Sequence, residues 1–312
     1  MNQGPSHQPS RRSFLSTLSP ILAAGQGFPR PAQAIAPFER KSFLIRGVSL
    51  AAYSLRTQFA WMKGKAGPGK LEMPGFLDYC ASQGLSGAEL TAYFFPEPID
   101  LAYCRRIKRQ AHLLGIDLTA GAIGNNFTHA PGSEKAKEQL DYTRLWIDRY
   151  AEMGIPAIRV FAGNPAKDIP EEQAIANILT NLSEALIHAE QRGVLLGMEN
   201  HDLTTNVDRF LRIMTAIDSP WLGATFDSAN VEPQIDPYEQ MERLAPYAIT
   251  AQIKVMVKTS AGEIPTDFDR VVGVLKRANY RGFLVLEYEE EEDPYVAIPL
   301  HLESLRKAIA AA

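Results

Sequence analysis

Four short stretches of this chain close on side chains that could do chemistry together. "VLLGMENH" (194–201) runs through apolar and small residues to Glu199, "LGATFDSAN" (222–230) to Asp227, and "GFLVLEYE" (282–289) to Glu287. Between the last two, "TAQIKV" (250–255) carries Gln252 and Lys254. Two residues apart, they share one face of an extended stretch. Each apolar run reads as a buried strand, and a carboxylate at its end is costly to desolvate unless a positive charge meets it. Three carboxylates brought to one place repel strongly unless a cation neutralises them. Hard oxygen donors from separate strands suit one divalent ion, Mg2+ or Mn2+ first, with Co2+ or Zn2+ as further options. Taken singly, each acid is more often a structural salt-bridge partner; the three together favour the metal.

The elements that would position these residues repeat along the chain. Short runs rich in apolar and β-branched residues occur at 45–51, 86–92, 116–122, 157–162, 194–199, 222–227, 249–255 and 283–288. Between them lie longer stretches with helical spacing, such as Ala174, Ile178, Leu182, Ala185 and Ala189, which stops at Arg192-Gly193. Similar stops stand at Gln83-Gly84, Leu114-Gly115 and Met153-Gly154. Eight strands alternating with about eight helices predict an α/β fold, a (β/α)8 TIM barrel forming a single domain over 35–312. In such a barrel the strands' C-terminal ends form one mouth, which would bring Glu199, Asp227 and Glu287 together. The rival, a doubly wound open sheet, is disfavoured because no Gly-x-Gly-x-x-Gly follows the first strand.

Composition narrows the function. With 312 residues, 46% hydrophobic and 22% charged, the chain has the apolar content for one large core. A formal charge of −4 leaves no electrostatic footprint for nucleic acid. Cys80 and Cys104 are too few for a disulfide framework and are expected as two buried thiols, or one optional bridge, in neighbouring helices. Residues 1–34 read as an export signal rather than part of the fold. "SRRSFL" (10–15) sets paired arginines before a modest apolar stretch, and Ala32-Gln33-Ala34 supplies a small-x-small cleavage site. This resembles a twin-arginine signal, which makes the twin-arginine export machinery a partner and the periplasm the destination. The stretch is too short and interrupted to span a bilayer. Without Arg11, Arg12 and Arg30 the mature domain carries −7 instead of −4, with no expected membrane span.

The order of "GVSLAAYSLR", "GAEL", "IRVFAG", "GMENH", "FDSAN", "LAPYAITAQIKV" and "FLVLEYEEEEDP" resembles the xylose isomerase-like TIM barrels, the sugar phosphate isomerase/epimerase superfamily. The resemblance covers essentially the whole chain after the signal. It implies one divalent ion held by Glu199, Asp227, Gln252 and Glu287, from strands five to eight. Gln252 departs from the family, which usually has His there in a His-x-Lys pattern. An amide oxygen still ligates a hard cation. Asn230 is a second departure, standing where epimerases of the family often place a substrate-binding His.

The resemblance further implies that Glu199 and Glu287 serve as acid and base on either face of a carbon next to a carbonyl. His201 is expected to bond a sugar hydroxyl, and Lys254 to hold a hydroxyl or stabilise developing negative charge. Arg159 is expected to point at the same mouth or, equally, to neutralise Glu89, and Glu89 is expected in the pocket wall. Trp61 and Phe95, in loops after strands one and two, are candidates to stack on a sugar ring. The acidic run beyond Glu287 reads as a solvated loop from which Glu289 can reach the mouth. Three functions stay open. The first is a metal-dependent sugar isomerase or epimerase, and the second a lyase or hydrolase cleaving 3-keto glycosides with the same site. The third is a non-catalytic sugar-binding barrel. The expected partner is a small sugar or glycoside, and an oligomer stays open. An apurinic endonuclease is disfavoured, because that chemistry uses several metals and many histidines and the chain has six.

Overall fold

The apolar runs become eight parallel strands, each followed by a helix. In chain order the strands are β1 (Leu44–Ala51), β2 (Gly87–Thr91), β3 (Asp117–Ala122), β4 (Ala157–Val160), β5 (Leu195–Glu199), β6 (Leu222–Asp227), β7 (Ala248–Lys254) and β8 (Arg281–Glu287). Each neighbours the next, and β8 pairs with β1, so the sheet closes into a barrel. The helices are α1 (Met73–Ser82), α2 (Leu101–Leu114), α3 (Glu134–Met153), α4 (Glu171–Arg192), α5 (Val207–Ala216), α6 (Pro237–Leu244), α7 (Phe268–Arg277) and α8 (Pro294–Ala311). This computed structural model describes Met1 and residues 35–312, and the export signal expected over 1–34 otherwise lies outside the described residues.

Local chemistry explains why the elements start and stop there. Strands covered on both faces must be apolar along their whole length, and every residue of β2 and β6 is buried. Six helix N-termini are capped by Asp100, Ser133, Asn206, Asp236, Asp267 and Asp293, whose side chains accept backbone N–H groups of the first turn. At the other end of α4, Gly193 takes φ +68°, a left-handed conformation that costs glycine little, and the chain reverses into β5. The core lies between helices and strands. Within it Tyr150 donates its hydroxyl to the Leu90 and Ala122 carbonyls, tying the ends of β2 and β3 to α3. Cys80 and Cys104 are buried and unpaired. Among the described residues no helix is long and apolar enough to cross a membrane.

Two small hairpins rise from the loops above the barrel. One pairs Trp61–Met62 with Lys65–Ala66 after β1, and the other pairs Met256–Thr259 with Gly262–Pro265 after β7. The loops after β3 and β4 are joined by Asn125, which donates to the Phe161 carbonyl and accepts the Phe161 N–H. From below, Asn177 and Asn181 of α4 donate to the carbonyls of Thr128, Phe127 and His129. Buried amide donors of this kind fix loop backbone that has no ladder of its own.

Candidate active site

A pocket of about 450 Å³ opens at the C-terminal ends of the strands. Barrel register places the chemistry. Asp227 on β6 stands beside Gln252 on β7, and Glu287 on β8 stands beside Lys254 on β7. Lys254 lies two residues beyond Gln252 and points to the same interior one layer higher. Glu199 ends β5 opposite Thr225.

Each acid is held by specific donors. Arg159 Nη1 lies 2.8 Å from Glu199 Oε2, and the Asn230 amide donates to Glu199 Oε1 at 2.9 Å. Lys254 Nζ lies 2.7 Å from Glu287 Oε2 and 3.5 Å from Asp227 Oδ2, and it also pairs with Glu289. Asp227 Oδ1 accepts the N–H groups of Ala229 and Asn230 in the turn after β6. Asn200 joins the two halves of the site. Its amide nitrogen donates to the Asp227 and Asn230 carbonyls, and its oxygen accepts the Asp227 N–H.

Burial and mutual charge shift the ionisation of these groups. Burial alone would lower the Lys254 pKa, but Glu287, Asp227 and Glu289 hold it well above its ordinary value. Arg159 is likewise kept charged against burial, by Glu199. Burial pushes Asp227 and Glu287 up, with Lys254 opposing in both cases. Glu89 is pushed up to about 8, by burial first and then by Glu287, while its bond to Gln252 pulls the other way. In His201 burial is outweighed by the neighbouring carboxylates of Asp202 and Glu199, and its pKa rises.

Glu199, Glu287, His201, Lys254, Arg159 and Asn230 line this one pocket, as their sequence positions suggested. Asp227 and Gln252 lie buried beneath it. Three expectations are corrected. Glu89 is not in the pocket wall. It is 1% exposed under the floor, where Gln252 Nε2 donates to its Oε1 at 2.6 Å, and Arg159 spends its charge on Glu199 instead. Phe95 is fully buried against Trp146, and Trp61 stands in the first hairpin away from the pocket. The aromatic walls are Tyr53 with Tyr93 and Phe161 with His201, at centroid distances of 6.4 Å and 4.5 Å. Tyr93 reaches its place because Gly124 has no side chain: a Cβ there would lie 2.4 Å from the Tyr93 hydroxyl oxygen. In "TAYFF" three consecutive aromatics compete for that place, and only the turn after β2 decides which one faces the mouth.

The arrangement bears on a divalent ion in two opposing ways. Among the described residues, no three His, Cys, Asp or Glu side chains gather as a cage for a metal ion, and Lys254 and Arg159 stand among the acids. The remaining polar atoms point the other way. Asp227 Oδ2, Gln252 Oε1 and Glu89 Oε2 are buried acceptors without a hydrogen-bond partner. Such atoms are ordinarily satisfied, and a hard cation suits them. The charge balance agrees, since the carboxylates of Glu199, Asp227, Glu287 and Glu289 face the two cations Arg159 and Lys254. The donors fit an oxygen-ligated ion such as Mg2+ or Mn2+ better than a nitrogen- or sulfur-rich zinc site.

Residues 77–308 match the xylose isomerase-like TIM barrel family, and the chain belongs to it. Over 208 residues it is 23% identical to the 3-oxo-isoapionate decarboxylase of Pectobacterium atrosepticum, covering 66% of this chain and 68% of that protein. Among solved structures, a 3-keto-D-glucoside 4-epimerase from E. coli superposes with a TM-score of 0.63 at 16% identity, covering 76% of this chain and 95% of that one. The IolI protein, with a bound zinc atom, superposes with a TM-score of 0.67 at 13% identity over 85% and 97% of the two chains. At these identities the structural likeness is one of fold.

Proposed function

We propose that the protein is an enzyme acting on a keto-sugar derivative as an isomerase or epimerase, removing a proton from the carbon next to the carbonyl. The observation that carries this reading is that Glu199 and Glu287 face one pocket from β5 and β8, each fixed by its own cation. A carbon bound between them can lose a proton to one carboxylate and receive one from the other. Arg159 and Asn230 fix the rotamer of Glu199, and Lys254 does the same for Glu287. His201, Asn230 and Lys254 offer donors to sugar hydroxyls and to the oxygen on which negative charge develops. Held by Glu199, Asp227, Gln252 and Glu287, a divalent ion would polarise the carbonyl oxygen. The similar proteins support the reading by name, because a 3-oxo acid and a 3-keto glucoside both carry the carbonyl such chemistry needs.

One observation favours a second reading, a lyase on 3-keto glycosides. The pocket continues outward past the acids to Met256, Lys258 and Glu263 of the second hairpin, which leaves room for an aglycone. The same proton abstraction would then expel the glycosidic oxygen. We also propose that residues 1–34 direct twin-arginine export to the periplasm, and replacing Arg11 and Arg12 by lysine should block it. Incubating the Mn2+-loaded protein in D2O with free ketoses and with 3-keto glycosides tests both enzymatic readings. Deuterium entering next to the carbonyl without bond cleavage supports the epimerase, and aglycone release supports the lyase. Sugar binding with neither exchange nor cleavage would leave a non-catalytic barrel.

A further inference from the structure

We infer that Glu89 is a positioning residue that fixes the Gln252 amide with its oxygen turned toward the cation. This rests on the reading above that the site takes a divalent ion. A glutamine amide has two ends of similar shape and opposite polarity, so something must decide which end faces an ion. Glu89, from the middle of β2 across the barrel, accepts from Gln252 Nε2 at 2.6 Å, and both residues are 1% exposed. With the nitrogen committed, Gln252 Oε1 remains buried and without a hydrogen-bond partner. Its register neighbour Asp227 presents a second such atom, Oδ2. Two buried acceptors without hydrogen-bond partners, on adjacent strands, make half of a four-oxygen ligand set. A flipped amide would present N–H groups to the cation, which is unfavourable, and against an ionised Glu89 it would also set oxygen against oxygen. The bond needs only a carboxyl or amide oxygen as acceptor at position 89. A carboxylate behind a metal-binding imidazole does the same work, orienting the ligand atom from one shell further out. Here the relay ends in an amide oxygen.

The test is a titration of the full chain with Mn2+, with free ion read by electron paramagnetic resonance and folding checked by thermal melt. Glu89→Leu removes the acceptor, and its Kd should rise about 10–100-fold, the usual loss on removing an outer-shell partner. Glu89→Gln keeps an acceptor oxygen and should bind near the wild-type value. Glu89→Leu added to Gln252→Ala should cost nothing beyond Gln252→Ala alone, which separates positioning through Gln252 from a general structural defect. Wild-type affinity in Glu89→Leu overturns the inference, as does a tenfold or greater loss in Glu89→Gln. The latter decides the matter even when the leucine variant fails to fold. A wild-type protein that binds no Mn2+ overturns the metal reading and this inference with it, whereas normal wild-type binding with an unaffected leucine variant overturns the inference alone.

Discussion

Lys254 Nζ stands 2.7 Å from Glu287 Oε2, between neighbouring strands whose register sets the two residues side by side. The same ammonium lies 3.5 Å from Asp227 Oδ2. Lys254 therefore neutralises two of the groups that a divalent ion would use, and protein cation and metal ion draw on the same oxygens.

Removing that ammonium separates its two effects. In metal-free Lys254→Met the buried acids lose their partner, and breaking a buried pair costs about 3–5 kcal/mol. The variant should melt lower than wild type in chelator and regain more stability than wild type when Mn2+ is added. Equal metal-induced shifts in melting temperature would show that lysine and ion do not share ligands.

Glu199→Gln and Glu287→Gln keep size and an oxygen donor but remove the base. Turnover per folded, metal-loaded molecule should fall by at least about 10²–10⁴-fold. A purely structural pair would instead lower thermal stability and leave activity near normal in the folded fraction. Full activity in Glu199→Gln ends its catalytic assignment.

Glu89 gives a pH signature in the metal-free protein. Its pKa is about 8 in the fold against an ordinary 4.5. Between those values the folded chain holds a proton that the unfolded chain has lost, so stability falls as pH rises through that window. Glu89→Gln abolishes this slope. Denaturant titrations in chelator should show the variant gaining on wild type across the window by on the order of a few kcal/mol. Parallel profiles would mean that Glu89 does not titrate there.

Gln252→His should shift cation preference toward Zn2+ or Co2+ relative to Mg2+, because a nitrogen replaces an amide oxygen among the ligands. Competition titrations measure the ratio directly. An unchanged ratio would place residue 252 outside the ligand set.

The barrel was legible in the sequence because a buried parallel strand must be apolar throughout and a helix stop favours glycine. Each observed strand lies within two residues of its expected ends. Glu199, Lys254 and Glu287 were legible because strand ends in this fold share one mouth. Glu89 was misplaced because "GAEL" reports an acid within a strand but not how deep that position sits in the closed barrel. The hairpins went unseen because pairs of two to four largely exposed residues carry no apolar period. Asn177 and Asn181 interrupt the apolar stripe of α4, and nothing local reveals that their partners are carbonyls some fifty residues back, 49 for Asn177 to Thr128 and 54 for Asn181 to Phe127.

Asn200 is a single amide stitched across the seam between β5 and β6, with both donors and its acceptor consumed by the backbone of Asp227 and Asn230. Any fluctuation that parts the barrel along this seam has to rupture all three bonds together. Glu199, one residue before the stitch, and Asp227, at its far side, therefore ride as one rigid body. The Asp227 amide proton should exchange with solvent only in the rarest openings of the domain, later than those in the hairpins above.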